Sequence, residues 1–166
     1  MATAPEMLAT PETVIRTMVE PDVSTVVAIE RAAYQFPWSE GIFRDCLRVG
    51  YVCRVACVDE EVIAYGVMSV GAGEAHILNL CVNAHFRCRG VGRRMLDYLI
   101  DRARAAGMSE AFLEVRPSNT AAIRLYQSIG FEQVGIRRGY YQAIGGREDA
   151  SVLKLALPGR RARPGS

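Results

Sequence analysis

Apolar residues recur at two spacings along this chain, every second residue in some stretches and every third or fourth in others. The switches between the two predict its elements. Thr13–Val19 is a β-rich run and reads as a first strand. Pro21 stands where a first helical turn tolerates proline, and Val23, Val26, Val27 and Ile29 follow at mostly helical spacing up to Ala33. Phe36-Pro37-Trp38-Ser39 breaks that helix, and Ser39 is placed to N-cap a second one with Ile42, Phe43, Cys46 and Leu47 on one side. Tyr51–Val58 and Val62–Val70 are β-branched runs joined through Asp59, Glu60 and Glu61, which reads as a hairpin. Gly71-Ala72-Gly73 makes the next turn, and His76–Val82 is apolar enough to predict a strand buried on both faces.

The strongest helical pattern follows. Val91, Met95, Leu96, Leu99, Ile100 and Ala103 form a stripe, Arg93, Arg94, Asp97, Asp101 and Arg104 lie mainly off it, and Gly107 fits a C-terminal stop. Ala111–Val115 is the next strand; Pro117, Ser118 and Asn119 start another helix that Gly130 ends. Phe131–Ile136 and Ser151–Leu155 read as the last two strands, separated by a polar loop carrying Tyr140, Tyr141, Gly145 and Gly146. This order fits a central mixed sheet with helices on both faces. No internal repeat is present. Residues 12–157 are expected to form a single domain, between a flexible leader at 1–11 and a basic, disordered tail at 158–166.

Composition narrows the class. Half of the 166 residues are hydrophobic and 23% are charged, the profile of a globular protein. No apolar run approaches a membrane span, and the N-terminal residues lack a basic stretch followed by an apolar block, so a cytoplasmic protein is expected. The net charge of +2 belongs to the tail. Without Arg160, Arg161 and Arg163, the 20 bases become 17 against 18 acids, which gives no support for direct nucleic-acid binding. Five cysteines, Cys46, Cys53, Cys57, Cys81 and Cys88, form no CxxC pair. Reduced, buried thiols are the simple reading; a metal site from Cys81, His85 and Cys88, with His76, lacks the paired short spacings of structural zinc, and no metal is expected.

The most informative segment is Arg87-Cys88-Arg89-Gly90-Val91-Gly92, which follows a strand and opens a helix. Glycines there let backbone N–H groups approach a bulky anion, and the helix N-terminus adds unpaired donors and partial positive charge. Phosphate is the natural ligand of such a place. A P-loop would need a lysine, and none is near; a dinucleotide fingerprint would need a third glycine where Met95 stands. A tight turn with solvated arginines stays open as the alternative.

Further residues bear on that choice. Arg-x-x-Gly-x-Gly at 87–92, Glu114-Val115-Arg116 at the end of the next strand, Asn119-x-x-Ala122-x-x-x-Tyr126 and Gly130-Phe131 resemble the GNAT acetyltransferase superfamily. The resemblance is closest to its RimI branch, the ribosomal-protein-alanine N-acetyltransferases. Supporting segments are Phe36–Ser39, Asn79, Arg137-Arg138-x-Tyr140-Tyr141 and Gly146–Ala150, so that the likeness spans about residues 13–157.

The resemblance implies an α/β (α+β) GNAT fold: a central mixed, mostly antiparallel seven-stranded sheet, helices on both faces, and a V-shaped splay between the fourth and fifth strands. Acetyl-CoA is the implied co-substrate. Leu80, Cys81 and Val82 would border its pantetheine arm; Arg87, Cys88, Arg89, Gly90, Val91, Gly92 and Arg93 would hold its pyrophosphate; Asn119 and Tyr126 would also touch it. Glu114 would be the general base and Tyr126 the general acid. Trp38, Tyr140 and Tyr141 would receive the acceptor. The implied acceptor is a protein N-terminus, first of all the N-terminal alanine of a small-subunit ribosomal protein, and a monomer is expected.

Physical chemistry leans the same way. At neutral pH an α-amine is roughly one-tenth unprotonated and a lysine amine less than about a thousandth, a difference of about 3.5 kcal/mol in deprotonation cost. One carboxylate suits the first better than the second, although lysine, polyamine and other small-molecule amines remain alternative acceptors, and a catalytically silent acyl-CoA-binding module is a third possibility.

Overall fold

Seven strands hydrogen-bond in the order β1-β2-β3-β4-β5-β7-β6 in the computed structural model of the chain, which describes residues 12–158. The elements run β1 (Val14–Thr17), α1 (Val23–Ala33), α2 (Glu40–Arg48), β2 (Val52–Val58), β3 (Glu61–Gly71), β4 (Glu74–Val82), α3 (Val91–Ala105), β5 (Glu110–Val115), α4 (Thr120–Ile129), β6 (Glu132–Ala143) and β7 (Gly146–Ala156). β1 pairs antiparallel with β2, and β7 pairs antiparallel with both β5 and β6. β4 and β5 pair in parallel, from Glu74 opposite Glu110 to Ile77 opposite Leu113. β4 itself runs on to Val82. The expected mixed, mostly antiparallel seven-stranded sheet is therefore present. The leader at 1–11 and the arginines at 160, 161 and 163 lie outside the described residues.

Two compact units divide the described residues: 12–67 with Asn79–Met95, and Met68–Leu78 with 96–158. In the first, Val23, Val26, Val27 and Ile29 of α1 and Phe43 and Cys46 of α2 bury their side chains with Val55 and Cys57 of β2, Tyr65 and Val67 of β3, and Cys81 of β4. The i, i+3, i+4 spacing on α1 accounts for the burial of that face. Ser39 caps α2 as expected, its side chain accepting from the Ile42 N–H at 3.3 Å. At the start of the unit, Arg16 holds both carboxylate oxygens of Asp22, at 2.7 and 2.8 Å, while Asp22 also accepts the Val19 N–H.

In the second unit, Leu96, Leu99, Ile100 and Ala103 of α3 are buried, as are Ala111, Leu113 and Val115 of β5 and Leu153 of β7. The stripe read from the sequence is thus the buried face of α3. Gly107, at φ +80°, stops that helix, and Gly130, at φ +115°, stops α4.

Three expectations need correction. The first strand is shorter than Thr13–Val19, because Val19 leads into a 3-10 turn at Glu20–Asp22. β4 is not buried on both faces: Leu78 is exposed and His76, Asn79 and Leu80 only half-buried, so its apolar content reflects mixed surroundings. The polar loop after Ile136 is strand. Tyr140 and Tyr141 lie within β6, Tyr141 opposite Glu148, and only Ile144 and Gly145 separate β6 from β7. Cross-strand pairing carries that hairpin where burial does not, which is why hydrophobic patterning does not reveal it.

Candidate active site

The first unit contributes the glycine-rich turn. After β4 the chain makes a 3-10 turn at Ala84–Phe86, which Asn83 caps through its side chain on the His85 N–H at 3.0 Å. Cys88 and Gly90 then adopt positive φ, +61° and +79°, before α3 begins at Val91. The left-handed conformation suits glycine, and an added Cβ at Gly90 would meet nothing within 4 Å, so the backbone is open to a bulky partner there. The first N–H groups of α3 precede any carbonyl the helix can offer them, and the Arg94 N–H is the first to return, to Gly90.

Arg87, Cys88, Arg89, Gly90 and Arg93 are exposed around the turn, while Val91 is buried beneath it. Not all of this charge is free to move. The Arg87 Nε donates to the Val82 carbonyl at 3.4 Å, and the Arg89 guanidinium lies 5.5 Å from the Phe86 ring centre. A surface of backbone donors and guanidinium groups with no acid in it fits the pyrophosphate of a nucleotide co-substrate.

Upstream on β4, Leu80 and Val82 are half-buried and Cys81 is buried. Burial pushes the Cys81 thiol up, and it pushes Cys53 up to about 11; such thiols are inert. Cys88 is the exposed cysteine of this stretch. Trp38 packs its ring on Phe43, 5.3 Å between centres.

The second unit gathers the chemistry-bearing side chains. Glu114 sits one residue before the end of β5, opposite Val152 of β7, with its side chain only 14% exposed. Its charged partner among the described residues is Arg137 of β6, at 3.5 Å and itself largely exposed. Tyr126 is buried in α4 and meets Phe131 edge-on at 5.9 Å. Tyr141 stands among these groups. Burial raises its hydroxyl above the ordinary range, and the nearby Tyr140, Glu114 and Tyr126 push the same way. The Arg116 guanidinium lies over the Tyr141 ring at 4.4 Å.

Arg116 is fixed in turn by Glu148 of β7, at 3.1 Å, and Glu148 also accepts from the Ser118 hydroxyl at 2.8 Å. The Ser118 hydroxyl, and after it Arg116, hold the Glu148 carboxyl below the usual carboxylate range. Asn119 serves as the N-cap of α4, its side-chain oxygen accepting from the Ala122 N–H at 3.2 Å. A bulge between Arg137 and Tyr141 sets the direction of the tyrosine pair. Gly139 turns there at φ +60°, its N–H bonds Asp149 at 2.8 Å, and Tyr140 and Tyr141 meet edge-on at 4.8 Å.

Thus Glu114, Tyr126, Tyr140 and Tyr141 belong to one unit, and Trp38 with the Leu80–Arg93 segment to the other. Two structural groups escaped the sequence reading. One is the Arg116–Glu148–Ser118 cluster. The other is Glu30, which is 2% exposed. A signal for Glu30 existed: it follows Val23, Val26 and Val27 at i+7, i+4 and i+3, so it stands on the apolar stripe of α1.

Comparison with known proteins sets these features in context. Residues 21–131 match the acetyltransferase (GNAT) family. The chain is 38% identical over 136 residues to the [ribosomal protein bS18]-alanine N-acetyltransferase of Salmonella typhimurium, covering 82% of this chain and 92% of the relative. The Escherichia coli K12 protein of the same description is 37% identical over the same shares. Among solved structures, the ribosomal-protein-S18-alanine N-acetyltransferase from Escherichia coli superposes with a TM-score of 0.82 at 34% identity, covering 91% of this chain and 99% of its own. Ard1 from Thermoplasma volcanium follows the same fold with a TM-score of 0.80 at 26% identity, covering 88% and 98%.

Proposed function

Because the chain belongs to the GNAT acetyltransferase family and is an N-acetyltransferase of the RimI type, we propose that it transfers the acetyl group of acetyl-CoA to a protein N-terminal α-amine. The first-choice acceptor is the N-terminal alanine of a small-subunit ribosomal protein; its bacterial relatives are named for an alanine of ribosomal protein bS18. The observation that carries the mechanism is the placing of Glu114: a carboxylate near the end of β5, its side chain largely shielded from water, in the neighbourhood of Tyr141.

The reaction needs a neutral amine, an electrophilic carbonyl and a protonated leaving group. Glu114 takes the proton from the incoming ammonium. The amine nitrogen then forms a bond to the thioester carbonyl carbon, the carbon–sulfur bond breaks, Tyr126 supplies the proton that leaves coenzyme A as a thiol, and the second proton that the nitrogen sheds on becoming an amide restores the Tyr126 hydroxyl. Backbone N–H groups of β4 near Leu80–Val82 stabilise the charge on the carbonyl oxygen. The turn from Arg87 to Arg93 binds the pyrophosphate and so fixes the reach of the acyl arm. Tyr140 and Tyr141, with Trp38, receive the first residues of the acceptor, offering ring area and hydroxyl groups to a peptide backbone. Tyr141 stays protonated through the working pH range and acts as a hydrogen-bond donor. Residues 12–157 act together as one catalytic domain, working as a monomer in the cytoplasm.

The test is thiol release by the purified protein with acetyl-CoA and a peptide beginning with alanine, against the same peptide with a blocked N-terminus. Turnover of the first alone supports the reading. Turnover of the blocked peptide through an internal lysine, or of a polyamine in preference to both, overturns the proposed acceptor.

A further inference from the structure

The proposed reaction does not use Glu30, yet Glu30 is among the most deeply buried charged residues described. It occupies the last turn of α1, the negative end of the helix dipole, where a carboxylate is unfavourable. A buried carboxylate survives only when donors replace its lost water. Glu30 has three, from three different segments. Its Oε1 accepts the backbone N–H of Trp38 at 3.1 Å. Its Oε2 accepts the Tyr65 hydroxyl of β3 and the Asn79 side-chain amide of β4, the latter at 3.0 Å. From the next turn of chain, the Tyr34 hydroxyl donates to the carbonyl of Leu80 at 3.3 Å. Two successive residues of β4, Asn79 and Leu80, are therefore tied to the end of α1.

Among the described residues no cation takes part in this arrangement, so its worth is geometric. An apolar side chain would fill the space with less desolvation, but it could not hold the Trp38 N–H and the Asn79 amide at fixed positions. All the residues concerned lie in one compact unit. Resting on the acceptor and co-substrate assignments above, we propose that Glu30 is a positioning residue. Its single carboxylate clamps the Phe36–Trp38 segment that receives the acceptor onto β4, the strand assigned to the acyl arm.

Trp38 is the only tryptophan in the chain, so its fluorescence reports the position of that segment without interference. Three variants of the full chain decide the matter: Glu30→Ala, which removes the clamp; Glu30→Gln, which keeps an acceptor for the Trp38 N–H; and Asn79→Ala, which cuts the β4 side only. The expected result for Glu30→Ala is a rise of about tenfold in KM for an alanine-starting peptide, with KM for acetyl-CoA within about twofold. Acrylamide quenching of Trp38 is expected to at least roughly double, and Glu30→Gln to recover most of both losses, since the hydrogen bond to Trp38 is restored. Asn79→Ala shows the same split at smaller amplitude and stands in for Glu30→Ala should that variant not fold. Unchanged Trp38 quenching in the folded variants, or equal losses in kcat and in both KM values, overturns the clamp. If the wild-type protein acetylates no peptide N-terminus, the acceptor assignment falls. The quenching comparison needs no acceptor and still decides whether Glu30 holds Trp38.

Discussion

Glu30 and Glu114 are both carboxylates withdrawn from water, and they are withdrawn in opposite ways. Glu30 is surrounded by neutral donors from Trp38, Tyr65 and Asn79, which occupy both of its oxygens. Glu114 has a charged neighbour, Arg137, at 3.5 Å on a mostly exposed side chain, an arrangement that solvent and salt weaken. A carboxylate whose lone pairs are filled by fixed donors is part of the framework. One that is desolvated but loosely engaged keeps a lone pair open, as the role proposed for Glu114 requires. The comparison teaches that burial alone does not mark a catalytic acid or base; the count and rigidity of its donors separates the two roles.

The comparison breaks first at Glu114. Glu114→Gln is expected to lower kcat by about 10²- to 10⁴-fold, the usual worth of a positioned general base, with the melting temperature little changed. Steady-state kinetics beside a thermal melt checks this, and a variant with wild-type kcat removes Glu114 from the mechanism. Tyr126→Phe, which keeps the ring against Phe131, is expected to cost about 10²-fold in kcat, read by the same assay.

A third carboxylate sharpens the contrast, because its main donor is charged. The hydrogen bonds from Arg16, and then the Val19 N–H, hold Asp22 below its ordinary 3.8. The native state therefore releases this proton more readily than the unfolded chain. The associated stability is full above about pH 4 and is lost as pH falls through the depressed native value. Asp22→Asn is expected to lower stability at pH 7 by about 1–3 kcal/mol and to flatten the acid limb of a stability-versus-pH curve from urea melts. An unaltered acid limb would mean that another group governs it.

Smaller effects follow. Tyr141→Phe removes one hydroxyl from a stacked ring and is expected to raise the peptide KM about three- to tenfold with kcat nearly intact. Arg137→Ala is expected to change kcat/KM by less than about threefold, as befits an exposed pair. A loss nearer that of Glu114→Gln would show that Glu114 is held as firmly as Glu30 and would erase the distinction drawn between them.

Local patterns made much of the framework legible. The stripe from Val91 to Ala103 faces inward on α3, Ser39 caps α2, α4 begins directly after Asn119, and Gly107 and Gly130 stop their helices. Each rests on neighbours within a few residues, where periodicity and capping operate. The paired extension of β6 and β7 was not legible: Arg137 through Ala143 is largely polar and alternates between exposed and half-buried positions, and its strand character comes from partners on β7. The clustering of Arg116 and Ser118 with Glu148, some thirty residues away, is a product of the pairing of β5 with β7.

The residues alone determined most of the elements, the glycine-rich turn before α3 and the set of chemical groups, because these depend on side-chain identity and on spacing along the chain. Only the folded chain decided which carboxylate would be saturated with neutral donors and which would face a single, mostly exposed arginine. Glu30 and Glu114 carry the same functional group, and what distinguishes them is the number, charge and fixity of the donors that distant segments bring to each.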